Sequence, residues 1–192
     1  MGLQQEAATD VESVYREGDG DPASLRRAYS QIPSAVALLA GAQSRGVVGM
    51  TVATLLPVSL HPPLLGVMIQ DGSTTWHELA ALPRIGVSVL AAGQPSVARK
   101  VASPDRERRF DGLELLEPED GSTARLIAGA HAWFDTELVE VSPAGDHLFA
   151  QLAVRSASMS RRYEPLIFHQ SRFRWASDSL VETTWPLDGV WQ

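Results

Sequence analysis

The chain has 192 residues, 44% hydrophobic and 20% charged, with no cysteine and a formal net charge of −7. That excludes disulfides, thiolate metal ligands and cysteine nucleophiles, and it argues against a general nucleic-acid binder. No apolar run reaches the roughly 18 residues needed to cross a bilayer, and the first 20 residues lack a basic start and an apolar stretch. A cytoplasmic chain with one main domain, not associated with membrane, is the expectation.

Residues 1–22 read as an acidic N-terminal arm, with a short helix over 5–16 and a loop ending at Asp21-Pro22. Ser24 is expected to cap a helix to about residue 30. An apolar strand over 34–40 and a polar turn over 43–46 lead into the most informative segment, residues 49–64. This run carries small hydroxyl residues at Thr51, Thr54 and Ser59, and ends in Pro62-Pro63, expected to stop strand pairing. Such a segment brings bare backbone N–H groups and short side chains against a flat surface. It also reads as two core strands and a capped helix, and periodicity alone leaves both readings open.

A strand over 64–70 and the turn Asp71-Gly72-Ser73-Thr74 open a helix over 74–82. In that helix Trp76, Leu79, Ala80 and Leu82 face the core, and Pro83 ends it. Further strands are expected over 85–91, 133–141, 148–158, 166–169 and 172–175, with a helix over 94–102 and a polar excursion over 103–120 containing Phe110. The basic run from Arg99 to Arg109, interrupted by Asp105 and Glu107, reads as a solvated helix face. Lys100 is the single lysine against 15 arginines. Six or seven strands with helices in the excursions point to a mainly β, antiparallel, closed or partly closed barrel over 23–175. The tail over 176–192 carries Trp185 and Trp191 and is expected to pack on its own subunit or a partner. His61, His77, His131 and His169 show no metal-ligand spacing, and no serine lies in a nucleophile elbow.

An ordered set of motifs carries a resemblance. Gly49-Met50-Thr51, Val58-Ser59-Leu60-His61-Pro62-Pro63, the helix start Ser73 to Trp76, Val87 to Leu90, Arg109-Phe110 and Gly145-Asp146-His147 follow one another along residues 24–175. In this order they resemble the flavin reductase-like family, split-barrel proteins that bind FMN or FAD and reduce it with NADH or NADPH. The resemblance implies a six- to seven-stranded antiparallel split β-barrel and a homodimer with flavin sites near the subunit interface. It also implies a supply of reduced flavin to a partner monooxygenase.

The same resemblance implies a set of flavin contacts. Thr51, Val52, Ala53, Thr54 and Ser59 would lie beside the flavin ring, with Ser88 a further cofactor contact. Ser73, Thr74 and Thr75 would meet the phosphate at a helix start, with Lys100 reaching the ring or the phosphate. His147 would touch the nicotinamide. Catalysis would be chiefly positioning, so no general acid or base is named. The chain departs from many relatives at Ala53 and Thr54, where Ser or Asn is common, at Ser88, where Asn is common, and at Val101, where Phe is common. The departures at Ala53, Thr54 and Ser88, with the Trp-rich tail, keep open a tightly flavin-bound oxidoreductase acting on an organic substrate. A non-catalytic flavin-binding module is the other alternative.

Overall fold

The computed structural model describes residues 21–175. The 5–16 helix and the apolar tail expected over 176–192 lie outside them. The chain enters through α1 (Pro22–Tyr29), whose N-cap is Asp21 and not the expected Ser24. The Asp21 carboxylate accepts from the backbone N–H of Ala23 at 2.9 Å and of Ser24 at 3.2 Å. Pro22 then starts the helix, where a missing N–H costs nothing.

Next come β1 (Ser34–Ala35), β2 (Ala37–Gln43), β3 (Gly46–Val52), β4 (Leu56–Leu60) and β5 (Pro63–Gln70). After these follow α2 (Thr74–Ala80), β6 (Ile85–Val89), α3 (Pro95–Val101), β7 (Leu115–Leu116) and β8 (Leu126–Ile127). The chain closes with β9 (Ala132–Ala144), β10 (His147–Met159), β11 (Leu166–His169) and β12 (Arg172–Trp175). Seven strands form one antiparallel sheet in the order β3-β2-β6-β9-β10-β5-β4. The sheet curls without closing, giving a split barrel with β3 at one edge and β4 at the other.

The double proline does not stop pairing, as the sequence suggested. Leu60 of β4 pairs with Pro63 of β5 across a tight turn, because proline is tolerated as the first residue of a strand. Helix α2 stops at Ala80, two residues short of expectation, with Ala81 as its C-cap.

Residues Ala37 to Gly41 of β2 are buried without alternation, because apolar layers cover both of its faces. Inside the curl, Leu39, Val67, Ile69, Ile85, Val87 and Leu152 pack against Trp76 and Leu79 of α2. On the outer face, Val36, Leu38 and Leu90 meet Ala98 and Val101 of α3, Ile127 of β8 and Leu166 of β11. Register shifts at Gln151/Leu152 and Val154/Ser156 bend the long β9–β10 ladder and help the sheet curl.

One ion pair is built into this core. Asp135 is 2% exposed, and its carboxylate takes a two-pronged bond from Arg84, Nε at 3.0 Å and Nη2 at 2.5 Å. Arg84→Ala would strand that carboxylate in an apolar setting. We expect a loss of about 3–5 kcal/mol, and a fall of roughly 6–20 °C in the thermal midpoint. A melt followed by circular dichroism checks this, and a variant that melts within 2 °C of the parent, on the order of an ordinary surface change, would refute it.

Candidate functional site

The C-terminal end of β5 is the meeting point of the site. Strand β3 ends at Val52, and Ala53 to Leu55 carry the chain across toward β4. Within that link the Thr54 hydroxyl donates to the Met68 carbonyl at 3.0 Å and accepts from the Met68 N–H at 3.2 Å. Strand β4 pairs with β5 only as far as Gly66, so this hydroxyl serves the backbone of Met68 beyond the end of that ladder. Two residues on, Gln70 pairs with His147, the first residue of β10. The Asp71 N–H donates to the Asp146 carbonyl at 3.1 Å, tying the lead-in of α2 to the β9–β10 turn. That turn is the two-residue loop Gly145-Asp146, with Gly145 at φ +67°, a value its first central position favours.

The start of α2 is anchored from the other side. Ser73 is its N-cap and accepts from the Trp76 N–H at 3.3 Å. Thr75 is 6% exposed, and its hydroxyl accepts from Arg109 Nη1 at 3.1 Å. The same Nη1 donates to the Gly49 carbonyl of β3 at 3.0 Å, while Nε donates to the Ser103 carbonyl at 2.8 Å. Arg109 thus ties the strand before Thr51 to the first turn of α2. Gly49 itself has no room for a Cβ, which would meet the Leu39 carbonyl and the Phe110 ring at 2.5 Å. Beside Arg109, Arg106 Nη1 donates to the Thr74 hydroxyl at 3.3 Å, and its other nitrogen pairs with Glu78. Burial, and then the charge of Arg106, hold the Arg109 guanidinium below the usual arginine pKa.

His147 is half-buried, and its Nδ1 lies 2.7 Å from Asp146 Oδ1. That hydrogen bond, followed by the imidazole's charge, lowers the pKa of the Asp146 carboxyl below the usual carboxylate range. Asp146 is therefore ionised at neutral pH. With Nδ1–H donated to it, a neutral His147 presents Nε2 as an acceptor.

The residues singled out from sequence divide into two groups. Thr54, Ser73, Thr74, Thr75 and His147 gather at the end of β5 and the start of α2, with Ala53 on the same link. The others are spent on the fold or lie apart. Val52 is a core residue, and the Thr51 hydroxyl donates to the Ala98 carbonyl of α3 at 2.9 Å. Ser88 is 1% exposed and accepts from the Ile127 N–H at 2.9 Å on the outer face of the sheet. Ser59 accepts from the His61 N–H at 3.2 Å, opposite Leu64 and roughly 20 Å down β5 from Gln70. Lys100 donates to the Asp111 carbonyl near the end of α3.

Sequence reasoning missed Arg106 and Arg109. The solvated-helix reading of the basic run is corrected by two facts. Helix α3 stops at Val101, and Arg109 is folded inward onto backbone carbonyls. Its place directly before Phe110, which packs with the outer apolar layer, is the sequence signal that could have found it.

Comparisons with known proteins identify the family and the fold. The sequence family described as "Flavin reductase like domain" matches residues 29–177. The chain is 31% identical over 154 residues to a flavin reductase of Pseudomonas putida, covering 80% of this chain and 89% of that protein. A solved NADH:FAD oxidoreductase of Streptomyces globisporus, in complex with NAD and FAD fragments, superposes with a TM-score of 0.79. It is 31% identical, covering 88% of this chain and 99% of that one. The flavin reductase component of a bacterial two-component tryptophan halogenase gives 0.75 at 30% identity, covering 82% and 99%.

The double role of the Thr54 hydroxyl is directly testable. Thr54→Val keeps the shape but removes both bonds to Met68, and water recovers part of the loss at this exposed position. We expect Thr54→Val to cost about 0.5–1.5 kcal/mol in urea unfolding, and Thr54→Ser to stay within about 0.5 kcal/mol of the parent. Equal stability of the Val and Ser variants would show that the seam between link and strand does not depend on this group.

Proposed function

The chain belongs to the flavin reductase-like domain family, and from that premise we propose that it is an NAD(P)H-dependent flavin reductase, delivering reduced FMN or FAD to a separate flavin-dependent monooxygenase. The observation that carries this reading is the start of α2, where Arg106 bonds the Thr74 hydroxyl and Arg109 the Thr75 hydroxyl just after the strand whose end carries Thr54 on one edge and His147 on the other. The relative that serves a two-component halogenase supports the supply role.

The residues present fit a flavin. Two threonine hydroxyls with guanidiniums beside them suit a phosphate, which wants several donors and positive charge. The short side chain of Ala53 leaves backbone N–H groups approachable by a planar ring. Bound flavin supplies the hydride acceptor, and the nicotinamide supplies the hydride. The chain's own task is positioning. Arg109 fixes β3 against α2, so the ring-side strand and the phosphate-side helix hold one spacing. Thr54 fixes the link against β5. His147, oriented by Asp146, offers Nε2 to the carboxamide N–H of the nicotinamide and moves no proton. Lys100, Ser59, Ser88 and the hydroxyl of Thr51 also hold the surrounding fold.

No helix among the described residues is long and apolar enough to cross a membrane. A cytoplasmic homodimer is part of the proposal. Light scattering at micromolar concentration should give twice the monomer mass, and a monomer there removes the dimer.

The defining experiment is anaerobic. Mixed with FMN or FAD, the protein should bleach absorbance near 450 nm on addition of NADH or NADPH, with rates that saturate in free flavin. Bound flavin that neither nicotinamide reduces would sink the reading. In the same assay His147→Ala should lower kcat/KM for the nicotinamide by about 2- to 13-fold, the loss of one hydrogen bond, with flavin affinity unchanged within about twofold. A drop in flavin affinity and thermal stability together would instead mark His147 as a turn residue.

A further inference from the structure

A groove of about 530 Å³ runs between the β2–β3 turn, α2 and the segment around Arg106. Its charged lining is Arg45, Glu78, Arg106, Glu107 and Arg109, with Gln43 and Ser44 beside them. This volume falls within the range of small-molecule sites, roughly 300–1,000 Å³. The lining carries three cations against two carboxylates, a positive balance on a chain whose net charge is −7. One end adjoins the start of α2, since Arg106 bonds Thr74 and Arg109 bonds Thr75. The other end is the turn carrying Arg45.

The guanidiniums here are not fully spent within the fold. Arg109 holds carbonyls and a hydroxyl but no carboxylate among the described residues. Arg106 pairs with Glu78, which already accepts from Gln43 Nε2 at 2.9 Å. Glu78 would therefore keep a partner if Arg106 turned toward an anion. Arg45 has no hydrogen-bonded partner among the described residues, and it acts on Glu78 only through its charge. Two like charges at Arg106 and Arg109, one partly desolvated, disfavour each other until an anion sits between them.

We propose that this groove receives the adenosine-phosphate end of a dinucleotide, with Arg106 exchanging Glu78 for a phosphate and Arg45 lining the adenosine side. The inference rests on the flavin reductase reading, which places the flavin phosphate at Thr74 and Thr75. From there the groove is the direction in which a longer nucleotide continues. FMN ends at its single phosphate and has nothing to place in it. FAD does, and so does a nicotinamide dinucleotide.

The test measures FMN and FAD affinity by flavin fluorescence and NADH saturation by initial rates. It uses the full chain and its Arg106→Ala and Arg45→Glu variants, with thermal melts alongside. Arg106→Ala should weaken both flavins, since Arg106 also lies beside Thr74, but FAD by about tenfold or more beyond FMN, as for loss of a charge-assisted bond made only by the longer ligand. Arg45→Glu should shift the same ratio in the same direction, and it decides the matter if Arg106→Ala fails to fold. A raised NADH KM with the ratio of the two flavin affinities unchanged assigns the groove to the nicotinamide dinucleotide and also supports the proposal. Equal weakening of FMN and FAD with the NADH KM unchanged, or no change in any of the three, overturns it. A parent protein that binds no flavin would instead refute the reductase reading itself.

Discussion

Strands β9 and β10 run 13 residues each, and the two halves of the sheet hang from their ladder. Strands β3, β2 and β6 attach through β9, while β5 and β4 attach through β10. Neither half buries both faces alone, so the inner apolar layer exists only when this ladder holds them together. Register shifts along it turn a flat ribbon into a curl, bringing β3 and its outgoing link back toward β5. At the tip of the same ladder, the Gly145-Asp146 turn delivers His147 beside Gln70. One structural element therefore sets both the curvature of the barrel and the position of the imidazole.

The site is held at the split, where regular pairing stops. A continuous barrel would consume every backbone donor along β3 and β5. Here the ladder gives way to side-chain bonds, the Thr54 hydroxyl on Met68 and the Arg109 guanidinium on Gly49. Such bonds fix spacing while leaving the link around Ala53 outside the ladder, with its N–H groups not committed to a strand neighbour.

Legibility in the sequence followed the range of the interaction. Strands 166–169 and 172–175 were readable to the residue, because alternation and a short turn are local signals. Helix α2 was readable from Ser73, a cap followed at once by periodic apolar residues. The cap of α1 was not, since Asp21 and Ser24 are equally good cap residues and only the backbone decides between them. The paired segments β7 and β8, two residues each, are too short to carry any period. Hydroxyl residues were the most ambiguous. Thr51, Ser59 and Ser88 look like ligand contacts in sequence, yet each bonds to the fold, Ser88 to a backbone N–H 39 residues away. Nothing local distinguishes them from Thr74, whose partner is a guanidinium in a groove.

The excess of arginine over lysine, uninformative as composition, acquires a physical meaning in the 103–125 segment. This stretch has little ladder of its own and is held down by guanidiniums. Arg109 reaches the Ser103 and Gly49 carbonyls, and Arg125 reaches those of Ser122 and Ala124 while pairing with Glu117. Arg84 meets Asp135 below the segment, and its own backbone exchanges bonds with Thr123. Each of these fastenings uses several donors of one rigid fork on more than one acceptor, a geometry that one ammonium cannot reproduce. The single lysine sits where one carbonyl suffices, at Asp111. The forks also stay charged when partly buried, so fastening the segment and lining the groove with positive charge are one and the same arrangement.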